Sequence, residues 1–301
     1  MGPTASGKTA LGVELALRVG GEIINCDSVQ IYQGIQIATA KPTEEEKRGV
    51  PHHLIGYVDP NTNHTAVDWA QDAAEKIAEI EGRGRVPILV GGTGFYLRTL
   101  RQPLFDSPKT DEGLRERLRA IQKRHGAAFL HRLLNRVDPQ AAAKIELADF
   151  VRVIRAIEHF FQTGKRISDQ QPYRAEPPEF AKRIRLYVLD PPRAELYERI
   201  DRRTEQHFAN GLVDEVRELL ASGVRDNTNA LGAHAYRRVC ECLRGERDLA
   251  SALERSKQDV RNYAKRQLTW FRRESDAAWL KGFGDEKTVR DALFDAISAV
   301  K

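Results

Sequence analysis

The stretch that decides the fold is MGPTASGKTALGVELALRVGGEIINCD, Met1 to Asp27. Gly2, Gly7, Lys8 and Thr9 fill the pattern G-x-x-x-x-G-K-[ST], a loop whose backbone N–H groups and following helix N-terminus wrap around a diphosphate. Ala10, Leu11, Val13, Leu15, Ala16 and Leu17 continue as an apolar helix that stops at Gly20-Gly21. Ile23-Ile24-Asn25-Cys26 then reads as a short strand ending at Asp27. In the functional reading of this motif the amides from Ala5 to Thr9 donate, Lys8 neutralises phosphate oxygens and Thr9 ligates Mg²⁺. Such a loop ordinarily follows a buried strand, and none precedes it in this sequence. The expectation is a reading frame extending upstream by about one strand, roughly five to six residues.

Working outward, the first hundred residues alternate helix and strand. His53 to Val58 is expected as a second strand, Ala66 to Glu81 as an amphipathic helix, and Val86 to Val90 as a buried strand stopped by Gly91-Gly92. That rhythm predicts an α/β fold with a doubly wound parallel sheet, like that of P-loop NTPases. From Thr110 to Gly164 the pattern is helical only, with Leu114, Leu118 and Ile121, and later Val153, Ile157 and Phe160, at helical spacing. Ser168 to Pro178 reads as a linker. A strand over Leu186 to Leu189 ends at Asp190 before Pro191-Pro192, and long helices follow over 193–208, 211–222, 233–243 and 247–273. Three segments result: an α/β core over 1–108 whose first strand is missing, a small all-helical insertion domain over 109–180, and a return to the core with a helical C-terminal part over 181–301.

With 301 residues, 41% of them hydrophobic, the chain is long enough for one large or two smaller domains. No run approaches the ~18 apolar residues a membrane helix needs. Cys26, Cys240 and Cys242 are too few and too scattered for a disulfide framework or a zinc site, which suits a reducing cytoplasm. A cleavable leader is not expected, because cleavage would destroy the opening loop. The net charge of +5 is concentrated: residues 109–155 hold eleven Lys and Arg against six Asp and Glu, a difference equal to the whole excess. A second basic cluster comprises Arg261, Lys265, Arg266, Arg272 and Arg273. Solvated helix faces would explain each cluster alone, but two clusters beside a phosphate-binding core favour nucleic acid.

Asp27 stands at the carboxyl end of a strand, the edge where doubly wound sheets bind ligands. A carboxylate there can take a proton from a nucleophile or approach Mg²⁺ through water; it could also merely cap the turn at Ser28. Gly91-Gly92-Thr93-Gly94 has no acid where a mechanical ATPase would commonly carry one. Its small residues suggest close approach of backbone to a ligand. On these residues alone a small-molecule or nucleoside kinase stays open, as does a non-catalytic nucleic-acid-binding protein.

DSVQIYQGIQIATAKPT (Asp27 to Thr43), together with the loop before it and GGTGFY after it, resembles the tRNA dimethylallyltransferase, or tRNA isopentenyltransferase, family. The resemblance continues through VRVIRAIEHFFQTGK (Val151 to Lys165), RIDRRTEQHFANGLVDEV (Arg199 to Val216) and AKRQLTWFR (Ala264 to Arg272), and so covers essentially the whole chain. It implies transfer of a dimethylallyl group from its diphosphate to the exocyclic amine of the adenosine 3′ of a tRNA anticodon. The loop residues Thr4, Ala5, Ser6, Gly7, Lys8 and Thr9 would hold the donor diphosphate despite looking like an ATP site, and Asp27 would be the general base. Asp27, Ser28, Val29 and Gln30, then Val151, Arg152, Val153, Ile154 and Arg155, then Gly232, Ala233, His234, Ala235, Tyr236 and Arg237 fall where the family contacts tRNA, as do Thr93 and Arg115. The implied cofactor is Mg²⁺, with Thr9 as its ligand. The implied partners are dimethylallyl diphosphate and the tRNA anticodon stem-loop, with no membrane, in a cytoplasmic monomer. Two departures stand out: Ala38 where the family usually has Gly, and Ala235 where Gly commonly precedes the Tyr-Arg pair. Without the C-terminal zinc finger of eukaryotic members, the chain looks bacterial in type.

Overall fold

Parallel strands with helices packed on both faces form the larger of two units in the computed structural model, which describes residues 1–173 and 175–299. The expected linker includes Arg174, which lies outside the described residues, as does the His234 side chain. The chain runs α1 (Lys8–Val19), β1 (Gly21–Cys26), α2 (Glu44–Lys47), β2 (His52–His53), α3 (Ala66–Gly82), β3 (Val86–Gly91) and α4 (Gly94–Arg101). After the insertion come β4 (Leu186–Asp190), α10 (Arg193–Ala209), α11 (Leu212–Ala221), α12 (His234–Leu243), α13 (Leu249–Phe271), β5 (Ala277–Lys281) and α14 (Lys287–Ser298). One parallel ladder has the order β2-β1-β3; a second pairs β4 with β5.

Successive β1 residues face opposite ways, so Ile23 meets Val13 and Ala16 of α1 while Ile24 meets Trp69 and Ile77 of α3. Burial of every β1 residue fits a central parallel strand covered on both faces. The strand expected over His53 to Val58 is a correction: only His52–His53 pair with β1. Leu54 adopts φ 60 and Gly56 φ 58, and these left-handed residues end the ladder. A single bridge from Tyr32 to Val58 follows. Sequence reading also stopped at 273, whereas β5 and α14 complete a small core of Leu11, Leu189, Leu280, Val289 and Leu293.

The second unit, Arg101–Glu179, is helical: α5 (Glu112–His125), α6 (Ala127–Val137), α7 (Pro139–Lys144), α8 (Phe150–Thr163) and α9 (Ile167–Gln170). Its own core joins Leu118, Leu130, Leu134, Val153 and Ile157. It begins at Arg101 rather than 109, because the extended stretch before α5 is bound to α8. Arg155 donates to Ser107 Oγ at 2.7 Å and to the Pro108 carbonyl at 3.0 Å, and Asp111 N–H donates to Glu158 at 2.9 Å.

Candidate active site

The loop between Met1 and α1 takes its shape from two left-handed residues, Ala5 (φ 62) and Gly7 (φ 81). Such alternation is how short runs of backbone N–H groups converge on an anion. Gly7 is also the N-cap of α1 and offers no side-chain cap, so the helix opens on its own amides. A Cβ at Gly7 would lie 2.8 Å from Asp285 Oδ1 and 2.9 Å from the Gly284 amide, so only glycine fits. Ser6 donates to the Pro3 carbonyl at 2.8 Å and accepts, through its own carbonyl, from Gly284 N–H at 2.8 Å. Thr4 is not a free donor: its N–H is held by Gln267 Oε1 at 2.8 Å.

Lys8 and Arg203 supply the positive charge. Lys8 Nζ donates to the Pro3 carbonyl at 2.5 Å, and Arg203 donates to Thr4 Oγ1. Burial, reinforced by the neighbouring Arg203, lowers the Lys8 ammonium to about 7, against an opposing pull from Asp27. Burial also lowers Arg203, again opposed by Asp27. One carboxylate therefore lies within electrostatic reach of both cations at the loop. Arg203 and Gln267, which sequence reading did not single out, both reach the loop at Thr4.

Asp27 follows the last residue of β1. Its Oδ1 accepts from Val29 N–H at 2.8 Å and Gln30 N–H at 3.1 Å, holding a tight turn that presents Ser28. Of the sequence readings of Asp27, the turn cap is the one these bonds show. Thr93 Oγ1 accepts from Ser28 N–H at 3.1 Å, and Thr93 N–H donates to the Cys26 carbonyl at 3.1 Å. Tyr263 hydrogen-bonds the Thr93 side chain; burial and Asp27 both raise its phenol. The adjacent Cys26 thiol is likewise pushed up by burial and by Asp27, so it is no nucleophile.

The glycines of 91–94 are required by packing within the protein. A Cβ at Gly91 would sit 2.0 Å from the Cys26 carbonyl oxygen, one at Gly92 2.0 Å from Gln267 Nε2, and one at Gly94 2.0 Å from Trp270 Cδ1. Gln267 Nε2 also donates to the Gly92 carbonyl at 3.0 Å.

Among the 232–237 residues, Gly232 closes a turn whose Thr228 carbonyl leaves no room for a Cβ, at 2.9 Å. Ala235 and Tyr236 are buried, and Arg237 is exposed. Tyr236 OH donates to Glu215 Oε1 at 2.5 Å and accepts from Ala38 N–H at 3.1 Å. Glu215 accepts in turn from Ile37 N–H at 3.0 Å. Tyr236 thus anchors the 36–40 loop, which Gln30 ties from the other side through the Thr39 carbonyl at 2.9 Å. Ala38 is not among the residues with positive φ, and Ala235 sits inside α12, so neither alanine strains the backbone.

In the helical unit, Val151 and Arg152 are exposed on α8, whereas Val153 and Ile154 are buried in the core. Only the former pair and the edge of Arg155 offer side chains to a partner. Arg115 binds the fully buried Glu158 through two nitrogens at 3.1 and 3.0 Å, and Arg155 binds it at 2.6 Å.

The larger unit is an α/β core with a glycine-rich loop at the start of α1 and a carboxylate at the end of β1, and the second unit is helical. The sequence matches the family described as IPP transferase over residues 30–274, and the chain belongs to that family. It is 47% identical to a tRNA dimethylallyltransferase of Geobacter metallireducens over 93% of this chain and 90% of that one. It is 44% identical to one of Solibacter usitatus over 99% and 96%. The fold matches the full-length tRNA isopentenylpyrophosphate transferase of Bacillus halodurans with TM-score 0.72 and 38% identity, covering 99% and 94% of the two chains. It also matches a eukaryotic dimethylallyltransferase acting on tRNA, with TM-score 0.79 and 26% identity over 98% and 76%.

Proposed function

We propose that this chain transfers the dimethylallyl group of dimethylallyl diphosphate to the exocyclic amine of the adenosine 3′-adjacent to a tRNA anticodon, releasing diphosphate. The observation that carries this is the grouping of Asp27 with Lys8 and Arg203 at the loop, in a chain whose relatives are tRNA dimethylallyltransferases. The core is of the P-loop NTPase kind, used here to hold an isoprenoid diphosphate rather than a nucleotide. An aromatic amine is a weak nucleophile, so a base that removes its proton as the C–N bond forms lowers the barrier. Asp27 is that base. Its Oδ1 is fixed by two amides, which sets the direction of the carboxylate. As the allylic C–O bond breaks, charge grows on the diphosphate, where Lys8, Arg203 and the amides of Ala5 to Thr9 receive it.

Mg²⁺ suits this site: it keeps waters and phosphate oxygens and needs only one or two hard protein ligands, here the Thr9 hydroxyl. When bound it adds charge neutralisation on the leaving group. The exposed parts of 28–30, 151–155 and 232–237, with Thr93 and Arg115, form or support the tRNA contact. No described helix is long and apolar enough to cross a membrane, and we place the enzyme in the cytoplasm, as a monomer.

The test is mass spectrometry of unmodified tRNA incubated with enzyme and dimethylallyl diphosphate, beside a parallel reaction of labelled ATP with nucleosides. A five-carbon adduct on adenosine is expected. Phosphoryl transfer from ATP without such an adduct would overturn the reading.

A further inference from the structure

Between β1 and α2 the backbone from Ile31 to Lys41 forms no helix, and its single ladder contact is the Tyr32–Val58 bridge. Side chains hold it instead. At its base Lys41 Nζ donates to the Tyr32 carbonyl at 2.5 Å, and Gln30 Nε2 donates to the Thr39 and Ala40 carbonyls at 2.9 and 3.2 Å. Nearer its tip, Ile35 is buried in the same core as Leu212, Val216 and Leu219 of α11. Glu215 lies on that face of the helix, at helical spacing from both Leu212 and Leu219. Its carboxylate accepts from Gln36 N–H at 3.2 Å, from Ile37 N–H at 3.0 Å and from Tyr236 OH at 2.5 Å. Ala38 N–H donates to that same phenol oxygen at 3.1 Å. The successive amides of 36 to 38 are therefore held by one carboxylate and the phenol bound to it.

We infer that Glu215 is a positioning residue for tRNA recognition, acting through the 36–40 loop to fix which atom of the Gln30 amide is offered to the RNA. For its substrate this rests on the transferase reading above. The Thr39 and Ala40 carbonyls can only accept, so the Gln30 nitrogen must face them, and both of its hydrogens are used. A flipped amide would set Oε1 against two carbonyl oxygens. Oε1 is thereby left as an acceptor with no protein donor among the described residues, on a half-buried side chain in the turn that Asp27 caps. Such an oxygen suits a hydrogen-bond donor of the tRNA and penalises an acceptor. The Gln30 backbone does not need the loop: its N–H goes to Asp27 Oδ1, and its carbonyl accepts from Gly56 N–H at 2.9 Å. Only its side chain depends on where residues 39 and 40 lie, and Glu215 places these from the tip. Without the carboxylate, Ile35 still attaches the loop to the core, but the amide is free to turn. Asp27, Lys8 and Arg203 are not touched.

The experiment compares the parent chain with Glu215→Leu, Glu215→Gln, Gln30→Ala and the double variant Gln30→Ala/Glu215→Leu. The Gln30 side-chain amide protons, assigned by their loss in Gln30→Ala, are followed by NMR without any substrate. Glu215→Leu is expected to speed their exchange by at least about tenfold. Glu215→Gln, whose carbonyl oxygen still accepts from Ile37 N–H, should keep them near the parent. In steady-state assays Glu215→Leu should raise KM for tRNA by about three- to tenfold, the worth of one hydrogen bond, with kcat and KM for dimethylallyl diphosphate nearly unchanged. Glu215→Gln should recover most of that loss. The double variant should match Gln30→Ala alone, because the carboxylate acts through that side chain. Should Glu215→Leu fail to fold, Glu215→Asp, which keeps the charge but not the reach, carries the same test. Additive losses, a loss confined to kcat or to donor KM, or an unchanged Gln30 signal overturns the proposal. If the parent chain modified no tRNA the transferase reading would fall, whereas additive losses in an active enzyme sink the role of Glu215 alone.

Discussion

Asp27 holds the turn at Ser28 and is the base proposed here for proton transfer, and the two roles can be separated. Asn keeps an oxygen to accept from Val29 and Gln30 N–H but cannot take a proton; Ala loses both. Asp27→Asn should therefore lower kcat by about 10²–10⁴-fold with tRNA affinity nearly unchanged, while Asp27→Ala should also weaken tRNA binding as the turn loosens. Single-turnover rates and filter-binding affinities check this, and a fully active Asn variant would remove Asp27 from proton transfer. Lys8 makes a prediction about pH. With its free-loop pKa lowered to about 7, the ammonium is mostly neutral at pH 8, and a bound diphosphate raises the pKa again. Donor affinity is then full below pH 7 and declines as pH rises above it, with uptake of up to one proton at pH 8. Calorimetry of dimethylallyl diphosphate binding in buffers of different ionisation heat measures that uptake. The Lys8→Arg variant, permanently charged, corrects for the ligand's own titration and should show none attributable to the protein.

Helix α13 shows what an element contributes beyond its individual contacts. Gln267 bonds the Thr4 amide and the Gly92 carbonyl from one buried side chain, and Trp270 presses on Gly94 one turn later. Gln267→Leu leaves both backbone groups unpartnered, at a cost of about 1–3 kcal/mol each. The expected result is a raised KM for the isoprenoid donor with tRNA affinity retained. Gln267→Glu, which still accepts from Thr4 N–H, should recover most of the donor affinity; equal loss in both variants would mean that packing alone matters. These residues also mark the limit of sequence reading. The loop, β1, α3, β3 and most helices were legible because apolar spacing and glycine punctuation are local signals. Gln267 and Arg203 were quoted within matching segments, yet nothing in periodicity shows that they meet Thr4 from 263 and 199 residues away. The packing need at Gly92 and Gly94 was hidden for the same reason, since what crowds them lies on α13. β5 is short, with one buried residue in five, so it gave no alternation to read.

At the scale of the molecule, the charge excess read from sequence divides into groups that are structurally committed and groups that are free to meet a polyanion. Arg115 and Arg155 belong to the first kind, because Glu158 is fully buried between them. Removing either leaves a poorly compensated buried carboxylate, so loss of tRNA binding in Arg115→Ala would not distinguish contact from unfolding. Arg117, Lys123 and Arg124 are of the second kind, exposed along α5, as is Arg119, whose exposed pairing with Glu112 at 3.9 Å holds it only weakly. Their combined replacement by Gln should leave the helical unit folded, since its core residue on α5 is Leu118. If the RNA backbone lies on this face, each lost phosphate contact reduces the slope of log affinity against log salt by about 0.7–0.9. The slope for tRNA should therefore fall by about one to three units, with donor affinity and thermal midpoint unchanged. Nitrocellulose binding across a salt series measures it. An unaltered slope would make α5 a solvated surface and shift the electrostatic footprint to Lys265, Arg266, Arg272 and Arg273, the exposed members of the C-terminal cluster. The matching replacement there would then have to produce the missing change.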